Sequence, residues 1–276
     1  VYKSMDRNEV FTSTSLNPQM DIKNKVRECV DSEDHPNAFP IIIGLDVTGS
    51  MGRIPYELIT NTLPQIMKKI MDEGVKDPQV CFLGIGDSRS DTTPLQVGQF
   101  ESSDELMEKW LKLVYLEGHG GGNGGEDYGL AWYFAARCTS VDSFKKHGRK
   151  GVIITIGDER LNPYLPVSGR HSGLGITTGD TLQADVETKD LYMETSEKFD
   201  IYHINVDHRN GYDQKGIVES FSEYLDDNHF RTINRLDDIA DEIVKIVVAA
   251  AENNEPVVVS STVISAETDG SGAIVW

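Results

Sequence analysis

The chain has 276 residues, 38% of them hydrophobic, and a formal net charge of −19 at pH 7. That size and apolar content suit a single elaborated domain with one sizeable core. The acidity argues against sequence-independent binding to nucleic acid, which needs a basic footprint, and no apolar run approaches the roughly eighteen residues of a membrane span.

Residues 1–40 are polar with apolar anchors at Phe11, Leu16 and Met20, and read as an arm packed on the core. The continuous apolar run from Ile41 to Leu45 then predicts a strand over residues 41–46, buried on both faces. A helix near 53–73 carries Ile54, Leu58, Ile59, Ile66 and Ile70 at helical spacing. Pro55 suits its first turn, and Pro64 should kink it. Strands are expected over 79–86 and 95–100, and a helix over 103–115 behind the capping signal Ser102-Ser103-Asp104-Glu105. A helix after Asp127, a strand over 151–157, a helix near 186–198 and a strand over 201–206 follow. Helix 214–226, a short strand near 229–233 and helix 237–252 complete the series. This alternation predicts an α/β fold with a doubly wound, mostly parallel sheet and helices on both faces. The shorter second and third strands form a hairpin, giving an antiparallel edge strand. The domain then covers 41–252, and the tail 253–276 holds an extra strand at 256–264.

The three cysteines, Cys29, Cys81 and Cys138, lack metal-ligand spacing. Cys81 and Cys138 fall in apolar stretches and read as buried thiols. Nothing demands disulfides, which leans toward a reducing compartment and a cytoplasmic location.

Chemistry concentrates where the first strand ends. Asp46, Thr48 and Ser50 alternate there and Gly52 follows, so one carboxylate and two hydroxyls reach the loop at the strand's carboxyl end. Open α/β sheets place ligands at that end, and small oxygen ligands converging on one point suit a hard divalent cation. Two later segments end similarly. A glycine-rich loop at 118–125 leads through Glu126 and Asp127 into a helix, and the apolar strand from Gly151 to Gly157 ends in Asp158 and Glu159.

The spacing Asp-x-Thr-x-Ser resembles the metal-ion-dependent adhesion site (MIDAS) of von Willebrand factor A (vWA) domains, which have a Rossmann-like fold, and the later segments fall in that family's order. The resemblance spans roughly residues 40–252. It implies that the hydroxyls of Thr48 and Ser50 bind magnesium directly, that Asp46 acts through water, and that Asp158 completes the environment. The Thr that many vWA domains use as third ligand is missing. The segment looks instead like a subgroup with a glycine-rich loop followed by Glu-Asp, which makes Asn123 the first choice for third ligand, with Glu126 and Asp127 behind it. Asp158 stands in the order Ile-Gly-Asp where Thr-Asp-Gly is usual, leaving Glu159 as a lesser candidate. The expected metal set is therefore Asp46, Thr48, Ser50, Asn123 and Asp158. It would hold Mg2+, with Mn2+ able to substitute and no Cys or neutral His placed to select zinc.

The function this implies is that of a non-enzymatic, magnesium-dependent protein-binding adaptor within a larger intracellular assembly. Intracellular relatives serve in assemblies built around ATPases of the AAA class and ribonucleoproteins such as Ro. Asp46 and Asp158 sum to −2 against the cation's +2, so the open position stays electrophilic and can take an Asp or Glu of a protein partner. The alternative is a metal-dependent hydrolase or phosphoryl-transfer enzyme using the same cation as a Lewis acid. It needs an acid or base from Glu126, Asp127, Glu159 or His208. Other enzyme classes fit worse. The loop His119-Gly120-Gly121-Gly122 follows Ser50, whereas in α/β-hydrolase lipases it precedes the serine. Thr48 stands where haloacid-dehalogenase-like phosphatases need a second Asp, and no Lys follows Gly49 or Gly52 as a P-loop requires. His203 reads as a core residue and His208 as a solvated loop residue. The stretch 145–150 reads as a solvated basic connection. The insertion 160–184 begins beside Asp158 and is expected to select the partner.

Overall fold

The computed structural model describes residues 13–116, 125–169 and 173–254. The expectations for Phe11, for Asn123 with most of its glycine-rich loop, and for a tail strand at 256–264 lie outside the described residues. Strands are β1 (Arg27–Cys29), β2 (Phe39–Asp46), β3 (Pro78–Ile85), β4 (Leu95–Val97), β5 (Gly125–Glu126), β6 (Thr139–Val141), β7 (Gly151–Gly157), β8 (Arg160–Leu161), β9 (Tyr164–Leu165), β10 (Val186–Glu187), β11 (Phe199–Val206) and β12 (Phe230–Ile233). The α-helices are α1 (Ile54–Glu57), α2 (Ile66–Asp72), α3 (Asp104–Leu113), α4 (Gly129–Arg137), α5 (Asp142–His147), α6 (Leu174–Thr178), α7 (Thr188–Lys198), α8 (Gln214–Phe221) and α9 (Ile239–Asn253).

Six strands form the central sheet in the order β12-β11-β7-β2-β3-β4. All neighbours run parallel except β4, which pairs antiparallel to β3 with Leu83 opposite Val97. β2 lies inside the sheet, between β3 and β7. That position explains its unbroken apolar run, because successive side chains of a strand point to opposite faces and both faces are covered. Ile41, Ile43 and Leu45 join a core with α1, α2, α3 and α9, while Ile42 joins a second core with α4, α7 and α8.

The helix expected over 53–73 is interrupted. A wide π turn at Leu58–Thr62 and a 3-10 turn at Leu63–Gln65 separate α1 from α2. Pro64 offers no N–H to the ladder, so the chain changes winding around it. Ser103 caps α3 by accepting the Leu106 N–H at 3.3 Å. The basic stretch expected to be a solvated connection is partly helical: α5 holds Lys145 and Lys146, and Lys146 pairs with Asp142 at 2.7 Å. The helix expected over 214–226 ends at Phe221, and residues 186–187 are strand rather than helix.

The described part of the arm carries a strand that the sequence did not announce. β1 pairs in parallel with β6, Arg27 opposite Thr139. Met20 O accepts the Val97 N–H at 2.8 Å, and buried Arg27 donates through Nη2 to Val97 O at 3.1 Å and to Gln19 O at 2.7 Å. The described residues of the insertion, 160–169 and 173–184, are also structured. β8 pairs with β5, β9 pairs with β10, and Leu165 and Leu174 are buried in the second core. Among the described residues no helix is long and apolar enough to cross a membrane.

Candidate metal centre

The carboxyl ends of β2 and β7 lie side by side, with Leu45 opposite Ile156. Asp46 and Asp158, each a residue or less beyond those ends, are both buried. A chain of short contacts joins the residues singled out in the sequence. Thr48 donates to Asp46 Oδ1 through its amide at 2.8 Å and its hydroxyl at 2.6 Å. Thr48 Oγ1 lies 3.1 Å from Ser50 Oγ, and Ser50 donates to Asp158 Oδ1 at 2.8 Å. Thus Asp46, Thr48, Ser50 and Asp158 converge on one point. Gly52, at φ +55°, turns the chain away from this cluster into α1.

Tyr128 closes the floor. Its hydroxyl donates to Asp46 Oδ2 at 3.1 Å and accepts the Glu159 N–H at 3.3 Å. Burial, followed by the charge of Asp158, pushes Asp46 up to about 7 despite the bonds from Thr48 and Tyr128. A carboxylate in that position gains most from a cation, because positive charge offsets both causes.

Glu126 and Asp127 are adjacent in sequence and have opposite fates. Asp127 accepts from the Ser88 amide at 2.9 Å, the Ser88 hydroxyl, Arg89 Nη1 at 2.6 Å and Asn162 Nδ2 at 2.7 Å. Those donors tie β3's end to the insertion, which makes Asp127 a structural residue. Glu126 is 1% exposed, and its Oε2 has no hydrogen-bond partner among the described residues. Burial, then Asp46, holds it well above the usual carboxylate range.

The loop after β11 supplies two residues: His208, which the sequence reads as a solvated loop residue, and Arg209, which the sequence does not single out. His208 Nε2 lies 2.7 Å from Asp158 Oδ2, and Arg209 Nε lies 3.0 Å from the same oxygen. Arg209 Nη2 also donates to Asp158 O at 2.6 Å and pairs with Glu159 at 3.0 Å, while its guanidinium stacks on Tyr212 at 4.4 Å. Glu159 is thereby engaged by Arg209. The available signal was the position of His208 and Arg209 just past a strand's carboxyl end. His203 is a core residue: it is buried, shares a hydrogen bond with Thr155 at 2.8 Å, and burial lowers it to about 3. All three cysteines are free and buried.

Among the described residues no three His, Cys, Asp or Glu side chains are arranged to hold a metal ion. The set expected from the sequence asks only for two carboxylates and two hydroxyls from these residues, and those four side chains are in contact. The carboxylates of Asp46 and Asp158 and the hydroxyls of Thr48 and Ser50 are hard oxygen donors, the kind a magnesium-like ion takes. Beside it, between β8 and the start of α8, a groove of about 810 Å³ is lined by Arg160, Asn162, Pro163, Tyr212 and Asp213.

No family model matches the sequence, and no curated protein matches it. Solved structures do. The pilus adhesin SpaC from Lactobacillus rhamnosus GG, in its open conformation, aligns with a TM-score of 0.54 at 9% identity, over 84% of this chain and 31% of that one. Proximal thread matrix protein 1 of the mussel byssus gives 0.50 at 12% identity, over 83% of this chain and 49% of that one. The chain therefore spans about a third of the former and half of the latter. The vWF domain of a type V pili tip protein from Porphyromonas gingivalis gives 0.51 at 12% identity, over 79% of this chain and 97% of that domain. At such identities the likeness speaks for the fold alone: a mostly parallel sheet with one antiparallel strand and helices on both sides, the architecture of a von Willebrand factor A domain.

Proposed function

We propose that this chain is a protein-interaction module whose binding depends on Mg2+ held at a MIDAS-type site. The single observation that carries the reading is the contact chain Asp46–Thr48–Ser50–Asp158 at the strand ends. Thr48 and Ser50 would hold the cation through their hydroxyls, and Asp46 and Asp158 would supply charge. Asn123 keeps its place as the sequence-based candidate for third ligand. The bound cation would act as a Lewis acid toward one oxygen of a partner's Asp or Glu. Around it, this chain's residues orient and screen: Tyr128 fixes Asp46, Arg209 fixes Asp158, and the low exposure of both carboxylates keeps bulk water from competing.

Interaction and adhesion roles of vWA-fold neighbours, a pilus adhesin and a pili tip protein among them, support the module reading. The groove beside Tyr212 and the insertion at 160–184 form the adjoining surface for partner selection. A cytoplasmic adaptor role is part of this proposal, resting on three buried free thiols. A hydrolytic reading draws on the His208–Asp158 pair at 2.7 Å, and turnover of a phosphate ester lost in His208→Ala would favour it.

Calorimetric titration tests the site. The parent chain should bind Mg2+ and Mn2+, and Asp46→Ala and Ser50→Ala should lose most of that affinity together with capture of an acidic peptide. Parent-like binding by either variant would show the site to be misassigned.

A further inference from the structure

Glu126 is the buried carboxylate that the contacts around Asp46 leave unsatisfied. Its backbone is tied to the segment that follows Asp158. β5 pairs in parallel with β8, two residues beyond Asp158, and Asn162 donates its amide to Glu126 O at 3.1 Å. Two residues further on, Tyr128 places its hydroxyl on Asp46 Oδ2. The side chain is 1% exposed, and Oε2 has no hydrogen-bond partner among the described residues. Buried polar atoms almost always find a partner, so an orphan acceptor marks a donor that belongs there.

A direct metal bond is not the arrangement this geometry offers, since no three such side chains among the described residues stand ready to share an ion. Magnesium gives up its waters reluctantly and is usually bound with several still attached. Those waters carry protons that need acceptors. We propose that Glu126 is the outer carboxylate of the cation site, its Oε2 accepting a hydrogen bond from the cation's hydration shell. The inference rests on the cation reading above and adds a third negative charge to it. Asp46, Glu126 and Asp158 then sum to −3, the cation adds +2, and Arg209, in contact with Asp158 at 3.0 Å, adds +1. The centre stays neutral, and a partner's carboxylate remains acceptable because Arg209 is there.

The test is calorimetric titration of Mg2+ and Mn2+ into the full chain, the isosteric Glu126→Gln and the shortened Glu126→Asp, with thermal melts of each cation-free protein. Glu126→Gln should bind about 10- to 100-fold more weakly, the range for outer-shell partners. Its cation-free form should melt at or above the parent temperature, because a buried carboxyl with no partner among the described residues has gone. Glu126→Asp keeps the charge but withdraws the oxygen by one methylene, and should also lose at least about tenfold. Parent-like binding by Glu126→Gln overturns the proposal while leaving the cation site intact. Parent-like binding by Glu126→Asp overturns the hydrogen bond in favour of a diffuse field. A lower melting temperature for cation-free Glu126→Gln makes Glu126 a structural residue and also overturns it. A parent chain that binds neither ion removes the cation reading and this inference together.

Discussion

Gly157, the last residue of β7, sits directly against the ring of Tyr128. A Cβ there would lie 2.6 Å from Tyr128 Cζ and 2.7 Å from Cε1, and closer still to the hydroxyl. The ring has no room to retreat, being fully buried with His203 at 4.9 Å and Phe221 at 5.8 Å between centroids. Gly157→Ala must therefore displace either the ring or the strand, and overpacking of this kind costs about 1–3 kcal/mol. Moving the hydroxyl also breaks its bond to Asp46 Oδ2, and a bond to a charged group is worth about 1.5–3 kcal/mol. The expected loss is about 2.5–6 kcal/mol, a large part of the roughly 5–15 kcal/mol that holds a domain folded. Equilibrium unfolding in urea measures it, with the slope checked for two-state behaviour. Residues in contact do not add independently, so in a Tyr128→Leu background the same alanine should cost less than about 1 kcal/mol. A single Gly157→Ala within about 0.5 kcal/mol of the parent, the range of an ordinary surface change, would refute the steric argument. So would an equal cost in both backgrounds.

Two further outcomes follow from groups around the same sheet end. His203 is packed among Thr155, Tyr128, Phe221 and Phe230, and burial holds it at about 3 against an ordinary 6.5. The unfolded chain takes up a proton below about 6.5 that the native state refuses until about 3, so stability falls with pH across that window, by about 2 kcal/mol at pH 5. Urea unfolding at pH 7 and pH 5 should show a smaller difference for His203→Phe than for the parent. Arg209→Gln removes a positive charge that touches Asp158, and Mg2+ should then bind roughly fivefold tighter, a gain of about 1 kcal/mol at aqueous screening, while capture of an acidic peptide weakens. Weaker Mg2+ binding in that variant would mean that Arg209 mainly holds Asp158 in place.

The sheet was legible because β2 and β7 are unbroken apolar runs with a polar break at the end, and a parallel strand covered on both faces needs such a run. Asp46, Thr48, Ser50 and Asp158 were legible as positions just past those breaks. Their neighbours were not. Glu126 and Asp127 look equivalent in sequence, and only the donors from Ser88, Arg89 and Asn162 separate a satisfied carboxylate from an orphaned one. His208 and Arg209 reach Asp158 through a turn stabilised by Asp207, which accepts the Gly211 N–H at 2.8 Å. Such a reach depends on tertiary placement that local pattern does not encode. The misplaced-looking glycine in Ile-Gly-Asp has a similar explanation: it leaves space for Tyr128, a residue 29 positions earlier in the chain. β1 was invisible because it is three residues long and its partner β6 lies more than a hundred residues away.

The clasp between the arm and β4 bears on how copies of this domain could join. Val97 is an outward rung of the sheet's antiparallel margin, and both its N–H and its C=O are occupied from within the chain, by Met20 and by Arg27. A foreign strand arriving at that rung finds no template, so growth of the sheet by strand addition is blocked there unless the clasp opens. Lys23, Asn24 and Lys25, between the two fastening points, are exposed. Opening the clasp would cost more than its hydrogen bonds, because Met20 and Ile22 beside it are buried in the two cores and would have to leave them, so the margin is held closed by packing as well as by pairing.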